Sequence, residues 1–314
     1  MNPEREATAV ADLAKAIAQL ELDPMPGTRT DIADLARIIS ADPALREVSA
    51  SDFVVSPDAP PARLYSSTTL ARSALVWIHG GTFVGGDVFM PEAAWPAIML
   101  ASQGIAVLNI DYRKALGGVR HPVPLHDVLE GWDWAVRNLA TWAGPNAQLS
   151  IGGASAGASL AAAAARVLAD TGGARPASVI LLYPTLHPEL PAKSDELLAT
   201  LESTPDDRRF VASMVQVMAR NLIGPDGDIH DPLAFPGLGP VNGLPPIYIL
   251  NSEEDDLRAS GEAFAATLRT AGCAVRVEFE PGTYHGHLNE PGLPASRRSI
   301  SRMQKWLMSV AARP

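Results

Sequence analysis

The sequence predicts an α/β fold in which a mostly parallel central sheet is flanked by helices and carries a helical cap. Short apolar runs rich in β-branched residues alternate with helical patterns along most of the 314 residues. These runs are apolar throughout, which is typical of parallel strands that are covered by helices on both faces. About sixty residues in the second half lack any strand signal, and an insertion of that length usually forms a lid.

Two amphipathic helices are predicted before the first strand, because apolar residues recur at helical spacing over residues 4–20 and again over 31–39. From the segment "DFVVSP" onward, short β-branched runs alternate with helical patterns. The predicted strands are residues 74–79, 105–110, 148–153, 178–183, 246–250 and 274–280. The strand-free stretch lies between Tyr183 and Pro245, and its segment 194–222 predicts helices with a polar join.

The charge balance limits the class of partner. Lys and Arg number 25 against 35 Asp and Glu, which gives a net charge of -10. Such a field disfavours binding to nucleic acid or to an anionic membrane surface, so a small neutral molecule is the expected partner. The sequence leaves open whether the protein forms a homodimer.

The single cysteine, Cys273, excludes an internal disulfide and a multi-cysteine metal cluster. The first ten residues are polar and acidic where a secretion signal needs a basic end and an apolar core. No apolar run reaches the roughly 18 residues that span a bilayer. We therefore expect a cytoplasmic protein.

A G-x-S-x-G pattern centred on Ser155 lies between a predicted strand and a predicted helix. By itself the pattern is weak, because it arises by chance in roughly one chain of this length in ten. Its position strengthens it, since a serine nucleophile needs a sharp turn between strand and helix that lifts the hydroxyl above the sheet. A tight structural turn with no chemical role is the alternative interpretation.

A serine nucleophile also needs a histidine base, an acid that orients the base, and donors for the oxyanion. The segment "HGGT" at 79–82 ends one predicted strand and can present backbone N–H groups. Carboxylates follow the strand at 246–250, and a histidine, His285, follows the strand at 274–280. This chain order of serine, acid and histidine is that of the α/β hydrolases. A phosphate-binding loop is disfavoured, because no lysine follows at P-loop spacing.

The chain resembles the hormone-sensitive lipase family of α/β hydrolases, a group that contains many bacterial carboxylesterases. The segments that carry the resemblance are "HGGTFVGGD", "DYRKA", "HPVPLHD", "GGASAG", "EEDDLRASG" and "GTYHGH". The resemblance implies that Ser155 is the nucleophile, His285 the base and Asp255 the acid. It also implies an oxyanion hole formed by the N–H groups of Gly81, Thr82 and Ala156.

Four carboxylates compete for the role of the acid, since Glu253, Glu254, Asp255 and Asp256 all follow the same strand. Asp255 aligns with the family aspartate when Leu257 and Arg258 are matched to the end of the family motif D-P-L-R. Asp256 then stands where the family has proline. Other departures are Thr82 for the last glycine of H-G-G-G, Ala154 for the aspartate of G-D-S-A-G, and "ALGGVRHP" for an Ala-Pro-Glu run.

The resemblance implies an α/β-hydrolase catalytic domain formed by residues 46–186 and 236–314. N-terminal cap helices at 1–45 and a cap insertion at 187–235 would cover it. The expected function is a serine esterase that cleaves small carboxylic esters through an acyl-enzyme on Ser155. An amidase or lactonase with the same triad is the nearest alternative, and a non-catalytic ligand-binding protein of this fold is a more distant one.

No cofactor is expected for this chemistry. A metal site is not expected either, because His285 and His287 form the nearest cluster of ligands and lack an obvious third partner. For His287 two roles stay open from the sequence, lining the pocket or capping a turn.

Overall fold

The computed structural model describes residues 3–22, 32–55, 61–67 and 71–312. Its helices and strands are, in chain order, α1 (Pro3–Leu22), α2 (Ile32–Ala41), α3 (Pro43–Arg46), β1 (Ser49–Val54), β2 (Pro61–Ser66), β3 (Ser73–Ile78), α4 (Pro91–Ala101), β4 (Ile105–Ile110), α5 (Val123–Trp142), β5 (Gln148–Ala154), α6 (Ala156–Thr171), β6 (Val179–Leu182), α7 (Asp195–Glu202), α8 (Ala212–Ile223), β7 (Ile247–Ser252), α9 (Arg258–Thr270), β8 (Val275–Glu280) and α10 (Pro294–Ala311). Short 3₁₀ turns separate some of them.

Within the described residues the strands form one eight-stranded sheet in the order β1-β2-β4-β3-β5-β6-β7-β8. Strands β3 to β8 run parallel to one another, whereas β2 is antiparallel to both of its neighbours, β1 and β4. The predicted fold class is therefore confirmed. All the strands predicted from the sequence are present, with ends within two residues of the predicted ones.

Strands β1 and β2 were not predicted. They lie at one edge of the sheet, and β1 is exposed along nearly its whole length. Neither strand carries the continuous apolar run that marks the central strands, and β2 begins at Pro61 and contains Arg63. Edge strands that face water carry a weaker apolar signal, so the pattern did not reveal them.

The central strands alternate their side chains between two hydrophobic cores. Val76 and Ile78 of β3 belong to the core that packs against α5, α6 and α9. Leu75 and Trp77 of the same strand belong to the core on the opposite face, which contains residues of α4 and α10. Because both faces are covered, the carboxyl ends of the parallel strands are the edge where functional loops gather.

Helices outside the two layers come from the N-terminus and from the stretch between β6 and β7. Helix α1 packs on α8, with Ile17 buried and Glu6 accepting a hydrogen bond of 2.5 Å from the Ser213 hydroxyl. Leu197 and Leu201 of α7 are buried against Ala259. For α2, the side chains of residues 32–35 lie outside the described part, so its predicted apolar face is not assessed there.

Candidate active site

Ser155 occupies a strained turn between β5 and α6. Its backbone angles are φ 52° and ψ -117°, a region that side-chain-bearing residues rarely adopt. The flanking glycines are required by space. A Cβ on Gly157 would lie 2.2 Å from the carbonyl oxygen of Ile78, and one on Gly153 would lie 2.4 Å from the carbonyl carbon of Gly157. The turn therefore presents the Ser155 hydroxyl at the start of α6.

Ser155, His285 and Asp255 form one hydrogen-bonded chain. The Ser155 hydroxyl lies 2.9 Å from Nε2 of His285, and Nδ1 of His285 lies 2.7 Å from Oδ2 of Asp255. The other oxygen of Asp255 accepts the N–H of Leu257 at 2.9 Å, and the carboxylate is buried. With Nδ1–H donating to the carboxylate, Nε2 is left as an acceptor for the serine proton. The structure thus brings together the three residues that the sequence analysis proposed.

The surroundings of His285 favour its charged form. Burial lowers the pKa of the imidazole, but the Asp255 carboxylate outweighs burial, and Glu92 adds to its effect, so the net shift of the pKa is upward. A protonated His285 would therefore be stabilised in place.

Two aromatic rings enclose the imidazole. Tyr183 meets His285 edge to face, with ring centroids 5.1 Å apart and an interplanar angle of 71°. Phe210, in the connection from α7 to α8, lies at 4.9 Å and 52°. Phe210 is partly exposed, whereas Tyr183 is fully buried.

The backbone N–H groups proposed for the oxyanion hole are available. In the described part of the chain, those of Gly81, Thr82 and Ala156 donate to no protein acceptor. Gly81 and Thr82 have φ of 107° and 54°, which bends the loop after β3 sharply. The Thr82 hydroxyl donates to the carbonyl of Gly81 at 2.8 Å, so this hydroxyl bonds within its own loop.

A buried carboxylate that the sequence analysis missed supports this loop. Glu92, in the first turn of α4, is only 2% exposed. One of its oxygens accepts the N–H of Gly80 at 2.7 Å, and the other accepts the Tyr183 hydroxyl at 2.7 Å and the Asn289 amide at 3.3 Å. Glu92 therefore joins the loop after β3, the end of β6 and the segment after His285. A single charge inside the apolar segment "PEAAWPAIMLA" was the signal that could have identified it.

The competing acids lie elsewhere. Glu253 accepts the N–H of Gly282 at 2.7 Å, and Asp256 is paired with the guanidinium of Arg209 at 2.6 Å. Neither carboxylate is bonded to His285 in the described structure, whereas that of Asp255 is.

His287 has a structural position. It is buried, with Nδ1 2.9 Å from the Ser252 hydroxyl and Nε2 2.8 Å from that of Ser299. Burial, with smaller contributions from His285 and Arg298, lowers the pKa of His287 to about 3. The ring is therefore a neutral link between β7 and α10, and of the two roles left open it does not line the pocket.

Two kinds of feature are absent from the described residues. No group of three or more His, Cys, Asp or Glu side chains is arranged to hold a metal ion there. Within the same ranges, no helix combines the length and the apolar character that crossing a membrane requires.

Comparison with known proteins extends the likeness beyond the site. A profile of the family Abhydrolase_3, described as alpha/beta hydrolase fold, matches residues 75–289. The acetyl-hydrolase of Streptomyces hygroscopicus is 30% identical over 227 residues, which cover 72% of this chain and 72% of that protein. Carboxylesterase NlhH of Mycobacterium tuberculosis is 28% identical over 233 residues, or 73% of this chain and 71% of that protein.

A solved structure agrees over nearly the whole length. The hyperthermophilic esterase from the archaeon Pyrobaculum calidifontis matches with a TM-score of 0.76 and 25% identity, covering 96% of this chain and 98% of that chain. The family match spans more than half of the chain, and the relatives are ester hydrolases by name. The chain belongs to the Abhydrolase_3 family of α/β hydrolases and is an ester hydrolase.

Proposed function

We propose that the protein hydrolyses small carboxylic esters through an acyl-enzyme on Ser155. The serine oxygen attacks the ester carbonyl while His285 takes its proton, and Asp255 holds the imidazole in the required tautomer. The tetrahedral intermediate collapses, and its alkoxide leaves with the proton from His285. Water then attacks the acyl-enzyme by the same steps and releases the acid.

The observation that carries this proposal is the unbroken chain of two hydrogen bonds from Asp255 through His285 to Ser155. Backbone N–H groups of Gly81 and Thr82 lie in the loop after β3 and that of Ala156 opens α6, next to Ser155. Donors held in this way stabilise the oxyanion without reorganising during the reaction. The N-terminus of α6 adds a favourable dipole at the same point.

We further propose that short acyl chains are preferred, because helical segments cover the site. Residues 1–45 and 187–235 would form this cap. The packing of α1 on α8 supports it. The name acetyl-hydrolase of the Streptomyces relative points in the same direction.

The test is a substrate panel with one acyl group. Ethyl butyrate, butyramide and γ-butyrolactone separate an esterase from an amidase and a lactonase that use the same residues. We expect turnover of the ester to exceed that of the amide, and Ser155→Ala to abolish it. Binding of ethyl butyrate without hydrolysis would instead favour a non-catalytic ligand-binding protein.

The partner in this proposal is the small-molecule ester, and no cofactor takes part. The net charge of -10 argues against nucleic acid as a partner. The single cysteine supports a cytoplasmic location, since such usage is ordinary in a reducing compartment.

A further inference from the structure

Asp256 has a buried environment that the hydrolytic reaction does not explain. Its side chain is 1% exposed. Its oxygens accept Nε and Nη2 of Arg209 at 2.6 and 2.9 Å, which is a two-point pairing of carboxylate and guanidinium. The ammonium of Lys193 lies 3.2 Å away. Both cations come from the stretch between β6 and β7, so Asp256 binds that stretch to the loop that carries Asp255.

The same carboxylate also fixes the backbone next to Arg209. Oδ2 of Asp256 accepts the N–H of Phe210 at 3.1 Å, and Arg209 donates in addition to the carbonyl of Leu201 at the end of α7. The chain at 209–210 is thus held by a side-chain pair and by a backbone hydrogen bond. Because charge-assisted, two-point contacts restrict orientation, the direction of the Phe210 side chain is restricted as well.

The position of Phe210 determines which part of an ester it can touch. In the proposed reaction Nε2 of His285 donates its proton to the leaving alkoxide, so the alcohol oxygen must come within hydrogen-bond distance of Nε2. The acyl carbonyl oxygen points instead toward the N–H groups of Gly81, Thr82 and Ala156. A partly exposed ring 4.9 Å from the imidazole centroid is close enough to reach an alcohol group that is bonded to this histidine.

We propose that Phe210 determines specificity for the alcohol part of the ester, favouring apolar, aromatic alcohols, and that the Arg209–Asp256 pair positions it. The proposal rests on the proposed esterase function. The two adjacent aspartates then have different roles: Asp255 orients His285, and Asp256 orients the Phe210 ring.

The test compares esters that share an acyl group. Benzyl butyrate and ethyl butyrate differ only in the alcohol, whereas ethyl hexanoate and ethyl butyrate differ only in the acyl chain. The measured quantity is kcat/KM, because it reports acylation, the step in which the alcohol is present. Phe210→Ala should lower the benzyl-to-ethyl ratio by about tenfold, a size usual for one pocket contact. The hexanoate-to-butyrate ratio should change less than about twofold, since the acyl side is untouched.

Asp256→Asn should shift the benzyl-to-ethyl ratio in the same direction, and should add no further shift when combined with Phe210→Ala. Lys193→Met is the matched control, because Lys193 pairs with Asp256 but does not adjoin Phe210. It should leave both ratios at the wild-type value.

Three results on the ratios would overturn the proposal. These are an unchanged benzyl-to-ethyl ratio in Phe210→Ala, an equal change in the acyl ratio, and an additive effect of Asp256→Asn. A lower melting temperature of Asp256→Asn with both ratios unchanged would show a purely structural pair and would also overturn it. Absence of hydrolysis of all these esters by the wild type would refute the esterase function itself, which is a distinguishable outcome.

Discussion

The substitution Asp255→Asn tests the acid most directly, because the structure determines what an amide must do at this position. In the wild type, Oδ1 accepts the N–H of Leu257 at 2.9 Å and Oδ2 accepts Nδ1–H of His285 at 2.7 Å. An asparagine can satisfy only one of these donors with its oxygen. If the oxygen stays on Leu257, the amide NH₂ donates to His285 and forces the proton onto Nε2. That tautomer cannot accept the serine proton.

The magnitude follows from the opposite orientation. Turning the oxygen toward His285 places the amide NH₂ against the N–H of Leu257 in a buried site, which costs about 1–3 kcal/mol. A neutral carbonyl also stabilises the imidazolium less than a carboxylate does, and the difference in free energy is about 2–3 kcal/mol. Together these effects reach about 3–6 kcal/mol. We expect kcat to fall by about 10⁴, which corresponds to about 5.4 kcal/mol and lies in this range.

The assay is kcat for ethyl butyrate across pH, with Asp256→Asn as the adjacent, equally buried control. Asp255 raises the pKa of His285, so its loss lowers that pKa. The acid limb of the residual activity should therefore move to lower pH. The control should lose less than about tenfold in kcat on this small ester. A tenth of the wild-type activity in Asp255→Asn, or a larger loss in Asp256→Asn, would refute the assignment.

Three further outcomes are expected. Ser155→Ala should lower kcat by about 10⁶, because no neighbouring group replaces the attacking oxygen. Single-turnover hydrolysis measures the loss of kcat, and organophosphate labelling of the wild type identifies the reactive serine. A label on another serine would contradict the assignment. Removing residues 1–40 should lower the melting temperature and the preference for short acyl chains, because loss of α1 and its buried Ile17 would expose α8. An unchanged chain-length profile would exclude these helices from the site. Glu92→Gln should destabilise the fold by about 1–3 kcal/mol, which urea unfolding measures. It should also move the acid limb of kcat/KM to lower pH, because Glu92 raises the pKa of His285. An acid limb that does not move in the pH profile would contradict this electrostatic effect.

The elements that could be predicted are those whose signal is local. The central strands are apolar along their whole length, and the turn at Ser155 shows its glycines within five residues. Asp255 could be separated from its neighbours only by resemblance to a family, since nothing in the four successive carboxylates distinguishes them. The catalytic roles of Ser155, His285 and Asp255 stay predictions, although the structure brings these three residues into contact.

The parts that could not be predicted depend on contacts between distant segments. Glu92 reaches Gly80, Tyr183 and Asn289, up to 197 residues away, and no spacing rule encodes such a cluster. Asp256 was visible as a departure from the family motif, but its partner Arg209 lies 47 residues earlier in a polar join. The sequence could indicate that position 256 was unusual, but not where the compensating charge would be.

The backbone at Ser155 also bears on how this enzyme can be engineered. Its φ of 52° and ψ of -117° lie where glycine is comfortable and serine is not, and such conformations cost of order 1–3 kcal/mol. A directed-evolution campaign that selects only for survival on heating would therefore favour glycine at position 155, a change that relaxes the chain and removes the proposed nucleophile. Thermal screens of this protein need a turnover readout in every round, since at this residue greater heat resistance and loss of catalysis are the same event.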